Sequence, residues 1–187
     1  LVPGGLVLSV LLPMIAFIVH GLTWVVLMRS LGYVVGWWSG MRACVMSQLG
    51  NYVPGKVVIM AIRAQVARSQ GLPGIPVAGS VLLETLLRTV VGAVLVAAGL
   101  YGMGQGQHYL AGLLALIGVL VLIAHPRVFH ALADWLLVKL GRDPLPRRLR
   151  LADLALLMFG YVLFWILYAA GFCCLAWGTG QAHLGAA

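Results

Sequence analysis

Charge is what this sequence has least of. Of its 187 residues only 9% are Asp, Glu, Lys or Arg, and just four are acidic. A soluble domain carries about 25% charged residues. With 63% hydrophobic residues and a mean hydropathy of +1.06, the chain cannot cover itself with a polar surface, so lipid must be its solvent. Alternation of apolar and polar residues is also missing. The apolar runs are continuous, which excludes a barrel of transmembrane strands. There are only three cysteines, Cys44, Cys173 and Cys174, in apolar contexts and without metal-ligand spacing; they read as small apolar side chains. The sequence has no Gly-rich phosphate loop, no Asp-rich loop for Mg²⁺ and no basic run interleaved with aromatics. Nucleotide hydrolysis, a bound metal or other cofactor, and nucleic-acid binding are therefore not expected. The net charge of +8 fits basic loops beside anionic head groups.

What is present is an all-α, polytopic helical membrane protein. Four runs are long enough to cross, at roughly 20 residues per crossing: 6–28, 77–101, 109–125 and 152–177. Residues 31–68 behave differently. Trp37 and Trp38 read as an interfacial anchor. The chain then enters an apolar stretch, breaks at "NYVPG" (51–55) and resumes as a helix over 56–68. Neither half is long enough to cross alone, so the pair reads as a re-entrant or broken helix. Irregular backbone at membrane depth is tolerated only where it lines protein or water. Within 126–150, Phe129, Leu132, Leu136 and Leu140 share a helical face, as in an interfacial helix. That loop also holds six Lys and Arg residues, whereas 102–108 holds none. The positive-inside rule then places 126–150 in the cytoplasm and the protein in the plasma (inner) membrane. The chain reads as a single transmembrane domain over 1–187, a fragment of something longer.

The break carries the chemistry. A half-helix starting inside the membrane aims unpaired N–H groups and its positive dipole end at the cavity, which favours an anion. Gly55 permits close backbone approach, Pro54 fixes the turn, Asn51 can cap or donate, and Lys56 adds a full charge. Arg63 lies two turns after Lys56 on the same face. Snorkelling of Lys56 and Arg63 to head groups is the plainer alternative. In the next span, Glu84 and Arg88 are spaced four apart in the order that favours an ion pair. They lie about 10 Å into the span and about 6 Å further. An arginine near mid-bilayer costs about 2.5–3.5 kcal/mol on insertion scales, so such residues face a polar cavity. His20 lies inside the first span and reads as a polar spot satisfied between helices.

"GNYVPGKVVIMAIRAQVARSQGL" followed by "AGSVLLETLLRTVVGAVL" resembles the lysylphosphatidylglycerol synthase transmembrane region, also called the flippase-like domain. Asn51, Pro54, Gly55, Arg63 and Gly71 match that family's pattern by position, and Glu84 matches its acidic position. Thr85 stands where the family has an adjacent Arg, with Arg88 one turn on, and Lys56 stands where many members carry a small residue. The resemblance implies a multi-span fold with a lipid-handling cavity. Some members translocate aminoacylated phospholipid; others sit beside glycosyltransferase domains that use polyprenyl-phosphate carriers.

Three functions are then in contention. The first is a translocator for an anionic phospholipid or polyprenyl-phosphate-linked lipid, with Asn51, Gly55, Lys56, Arg63, Glu84 and Arg88 as contacts. The second is a non-catalytic anchor or scaffold for a synthase or glycosyltransferase partner. The third is an integral-membrane lipid enzyme, for which His20, His125, His130, Asp134 and Asp153 are the only candidate bases, with no recognisable pair among them.

Overall fold

The computed structural model describes residues 2–52, 56–102, 104, 107–139, 141 and 143–180. Among the described residues seven helices run in order: α1 (Pro3–Ser30), α2 (Trp37–Ser47), α3 (Lys56–Arg68), α4 (Gly74–Gly102), α5 (Gln107–Ala124), α6 (Pro126–Lys139) and α7 (Leu151–Gly178). A 3-10 turn, Gln48–Tyr52, extends α2, and no strand occurs among the described residues.

Three helices, α1, α4 and α7, are long and apolar enough to cross a membrane unaided. A fourth crossing arises when α5 and α6 count as one bent span, since Gly112–Ile123 and Arg127–Lys139 meet at 59°. Pro126 is the physical cause of the bend. It disfavours helical backbone at the residue before it and opens the next helix at a position where its missing N–H is not needed. The sequence reading has 109–125 crossing by itself with 126–150 beyond it; among the described residues α5 is not a span unaided, and a fourth crossing arises only if α6 continues it. α6 keeps an amphipathic character, with Leu137 buried while Leu132 and Trp135 are exposed.

α1 and α7 form the main interface and run antiparallel. At one end Val2 N–H donates to Gly178 O at 3.0 Å; at the other, Arg147 N–H donates to Leu31 O at 3.2 Å. The end of α1, the start of α4 and the linker before α7 therefore share one membrane face. α2 and α3 leave from that face and return to it. They pack side by side as a hairpin, and Gly50 lies so close to α3 that a Cβ there would sit 2.8 Å from Ile59 N. A hairpin of two short helices is compatible with the re-entrant or broken pair expected from the sequence. Pro54 and Gly55, the centre of the expected break, lie outside the described residues.

The α6–α7 linker is fastened by side chains accepting backbone donors. Leu149 N–H donates to His130 Nε2 at 2.7 Å, and Leu145 N–H donates to Asp134 Oδ1 at 3.2 Å. His130 and Leu149 are both buried. His130→Leu leaves the Leu149 N–H without a partner, so it should destabilise by about 1–3 kcal/mol. Amide exchange at Leu149 is expected to accelerate while amides of the α1–α7 interface keep their protection; unchanged exchange at Leu149 would refute the role.

Candidate functional site

Two residues far apart in sequence reach the same depth. His20 lies 11 residues before Leu31, and Glu84 ten residues after Gly74. At 1.5 Å per residue both sit about 15–16 Å from the shared face, near the middle of a hydrocarbon core about 30 Å thick. There they meet. His20 Nε2 is 3.0 Å from Glu84 Oε1. The second carboxylate oxygen accepts a hydrogen bond from Arg63 Nη1 of α3. Burial is complete for His20 and Arg63 at 0% exposure and nearly so for Glu84 at 3%.

Arg63 is held on every side. Its Nε donates to Ser47 Oγ at 3.0 Å, its Nη2 approaches Cys44 Sγ at 3.6 Å, and its guanidinium lies 5.1 Å from the Trp24 ring. Ser47 Oγ in turn donates to Cys44 O, and Trp24 Nε1 donates to Ser80 Oγ at 2.9 Å. Tyr161 of α7 stands beside His20 with ring centroids 6.4 Å apart, and its buried hydroxyl has no partner among the described residues. One carboxylate thus gathers α1, α2, α3 and α4 around it, with α7 closing the side. A carboxylate or guanidinium left alone at this depth would lose its water without compensation, so mutual pairing is the condition for burying either.

Beside the cluster, on the hairpin side, is a cavity of about 360 Å³. It is lined by Phe17, His20, Cys44, Gln48, Leu49 and Tyr52. His20 and Cys44 are the shared wall between cavity and ion cluster. Gln48, Leu49 and Tyr52 of the 3-10 turn therefore form one side of the cavity.

The sequence-derived residues distribute as follows. Arg63 and Glu84 come together. Asn51 lies in the 3-10 turn and Lys56 opens α3, while Pro54 and Gly55 fall outside the described residues. Arg88 does not pair with Glu84, as the four-residue spacing suggested. Its guanidinium lies 5.7 Å from the Phe164 ring, one turn beyond the cluster, and Glu84 turns instead to a different helix. The reason is electrostatic. Arg63 reaches Glu84 from a facing helix, with Nε and Nη2 oriented by Ser47 and Cys44 and Nη1 left for the carboxylate.

His20, read from the sequence as a polar spot satisfied between helices, is so placed: it pairs with Glu84 of α4. Its signal was a titratable ring in mid-span, at the depth of the one carboxylate in α4.

The remaining candidate bases are engaged by backbone donors. His130 and Asp134 hold the linker, Asp153 Oδ2 accepts from Arg150 N–H at 2.9 Å, and His125 Nδ1 accepts from Arg127 N–H at 3.3 Å. Among the described residues no group of three or more His, Cys, Asp and Glu side chains could hold a metal ion.

No curated protein and no solved structure matches the chain. A family model does, over residues 1–183, described as the lysylphosphatidylglycerol synthase TM region. With an all-helical fold, spans of sufficient length and a match over nearly its whole length, this integral membrane protein belongs to the lysylphosphatidylglycerol synthase transmembrane-region family.

Proposed function

We propose that the chain translocates an anionic lipid, a phospholipid or polyprenyl-phosphate-linked species, by passing its phosphate through the cavity beside Glu84. The observation that carries this reading is the neutralised ion cluster at mid-membrane with a cavity against it. A charge placed at that depth is costly, and it marks a substrate path more often than a structural pair. In this scheme the arriving phosphate takes the place of the Glu84 carboxylate on Arg63, and Glu84 keeps His20. Each charge then has a partner throughout. Phosphate suits the guanidinium because the planar guanidinium fork can donate two parallel N–H bonds to two phosphate oxygens. Asn51, Gly55 and Lys56, around the break in the sequence, contribute further contacts, as does Arg88 further along α4, while the acyl or prenyl tails stay in the bilayer. The protein sits in the plasma membrane with residues 126–150 cytoplasmic.

The test is fluorescent phosphatidylglycerol in reconstituted liposomes, with dithionite quenching of the outer leaflet. Wild type should expose inner-leaflet probe faster than protein-free liposomes. Arg63→Gln should slow it about tenfold or more, the kinetic equivalent of about 1.4 kcal/mol. Equal rates for wild type and empty liposomes would refute translocation. The engagement of Arg63 by Ser47, Glu84 and Cys44 favours a second reading, a scaffold for a synthase or glycosyltransferase, in which the cluster only locks helices together. That reading predicts no transport by wild type.

A further inference from the structure

The charges of the mid-membrane cluster balance without His20. Arg63 and Glu84 cancel through the bond from Nη1 to Oε2, so the imidazole needs no charge to hold its place. Its Nε2 stands 3.0 Å from Glu84 Oε1. That nitrogen carries the hydrogen, because a lone pair there would face the lone pairs of the carboxylate. In a neutral imidazole the other nitrogen is then the acceptor. This Nδ1 is buried and has no oxygen or nitrogen partner among the described residues. The ring is also part of the wall of the cavity of about 360 Å³. A proton can therefore reach it through the space a head group would use, without crossing lipid.

The titratable and charged groups around the ring are few. α2 presents Cys44, and Tyr52 of the 3-10 turn lines the same cavity. α3 presents Arg63, on the other oxygen of Glu84, and α4 presents Glu84 itself. α7 presents Tyr161. Arg88 is a second cation nearby: the Phe164 ring lies 5.5 Å from His20 and 5.7 Å from the Arg88 guanidinium. Glu84 is the one carboxylate among these groups, since the other three acidic residues, Asp134, Asp143 and Asp153, lie in α6, the linker after it and the first turn of α7. An anion that displaces Glu84 from Arg63 thus leaves this carboxylate with an imidazole for company. An isolated carboxylate at this depth is costly. An imidazolium beside it makes a second neutral pair.

We infer that a proton is the co-substrate of this site: each phosphate that takes Arg63 brings a proton onto His20 Nδ1, and the two leave together. The inference rests on the translocation reading and gives it a driving force. The balance is simple. On loading, water at the entry side gives up a proton to Nδ1, and the cluster becomes Arg63 with phosphate and imidazolium with Glu84. On release, Glu84 returns to Arg63 and Nδ1 gives its proton to water at the exit side. A singly charged phosphodiester then crosses with no net charge, and the head group runs from the acidic side to the alkaline side. Without the proton, one uncompensated negative charge would sit at mid-membrane. The linkage is reciprocal: phosphate strengthens the hold on the proton by the factor by which the proton strengthens the hold on phosphate.

Two measurements on the whole chain test this. The first needs no transport. In detergent with a pH indicator, phosphatidylglycerol added across the titration range of an imidazole should draw protons from the medium, approaching about one per lipid bound at the pH of greatest uptake. Diacylglycerol, which has no phosphate, should draw none. His20→Gln keeps an N–H donor for Glu84 but cannot titrate, and should bind without proton uptake. Binding by wild type with no proton uptake overturns the inference, whether or not the variant folds; so does undiminished uptake in folded His20→Gln. The second uses proteoliposomes with a pH difference of about one unit, in which fluorescent phosphatidylglycerol should gather in the alkaline leaflet by up to about tenfold over protein-free liposomes. A potassium diffusion potential should not redistribute it. An even distribution, in proteoliposomes that do transport, overturns the coupling and leaves translocation standing. Proton uptake on binding with no transport by wild type refutes translocation and upholds the linked proton site at His20.

Discussion

Glu84→Leu is expected to destabilise the protein by about 3–5 kcal/mol, the usual range for removing one partner of a buried ion pair. The loss does not come from the carboxylate's own contacts alone. It comes from Arg63, which is 0% exposed and would keep Ser47, Cys44 and the Trp24 ring but no counter-charge. Arg63→Leu should cost less, because the carboxylate it leaves behind still has His20 at 3.0 Å. The double variant Arg63→Leu/Glu84→Leu should recover most of the loss, since two leucines fill comparable volume and leave no uncompensated charge. Thermal unfolding of the four proteins in one detergent measures the coupling directly. Additive losses in the double variant would mean that the two residues act through separate contacts. Recovery of stability combined with loss of lipid transport would separate the two jobs of the cluster: the apolar pair can hold the helices but cannot exchange a carboxylate for a phosphate.

The contrast between Glu84–Arg88 and Glu84–Arg63 shows what the sequence could and could not reveal. The mid-span charges announced that a polar interior existed, because the insertion penalty makes each of them conspicuous in an apolar run. Spacing alone then nominated Arg88, the only cation within reach on the same helix. The partner actually used is 21 residues away on a re-entrant helix, and no periodicity within one segment encodes that approach. His20 was legible as a polar spot held between helices, but its partner was not. A lone ring in a span has no visible partner until the chain folds a carboxylate to its depth. The long spans α1, α4 and α7 and the shorter helix over 56–68 were legible because they depend on local composition and length. The amphipathic stretch after Pro126 was legible too, but its 59° junction with α5 was not, because the angle is set by packing on both sides of the proline.

The second large effect is expected at the seam between α1 and α7, which positions His20. Down α1 the residues Gly5, Ser9, Pro13, Ala16, His20 and Thr23 recur every three or four positions and so lie on one face. Gly160, Gly171 and Gly178 of α7 are spaced by 11 and 7 residues, about three turns and two turns, and also share a face. In the antiparallel pair these faces meet. A Cβ on Gly178 would lie 2.9 Å from Leu6 N, one on Gly5 would lie 2.8 Å from Gly178 Cα, and one on Gly171 would lie 2.7 Å from Pro13 Cδ. A Cβ on Gly160 would collide with Thr23. At residues 5 and 178 the obstacle is backbone, which cannot rotate away as a side chain can. Without a hydrophobic effect between helices in lipid, close backbone packing of small residues is a principal source of association.

Gly178→Leu should therefore force the two helix ends apart, break the Val2 N–H to Gly178 O bond and destabilise by about 1–3 kcal/mol or more through overpacking. Gly118→Leu, on α5 where a Cβ meets nothing within 4 Å, is the control and should be neutral or slightly stabilising, as expected for leucine over glycine in a helix. Equal melting temperatures for the two variants would mean that α1 and α7 do not rely on the glycine seam. A selective loss in Gly178→Leu, with His20 displaced from Glu84, would show that the packing of two outer spans sets the geometry of the ion cluster between them. Double electron–electron resonance between labels placed on the exposed residues Val10 and Phe172 distinguishes a local adjustment at the helix ends from separation along the whole seam. The 0% exposed Ala16 and Leu157 in these two helices leave no slack for a gradual splay, so the distance is expected to change as one step shared by both labels rather than as fraying at residue 178.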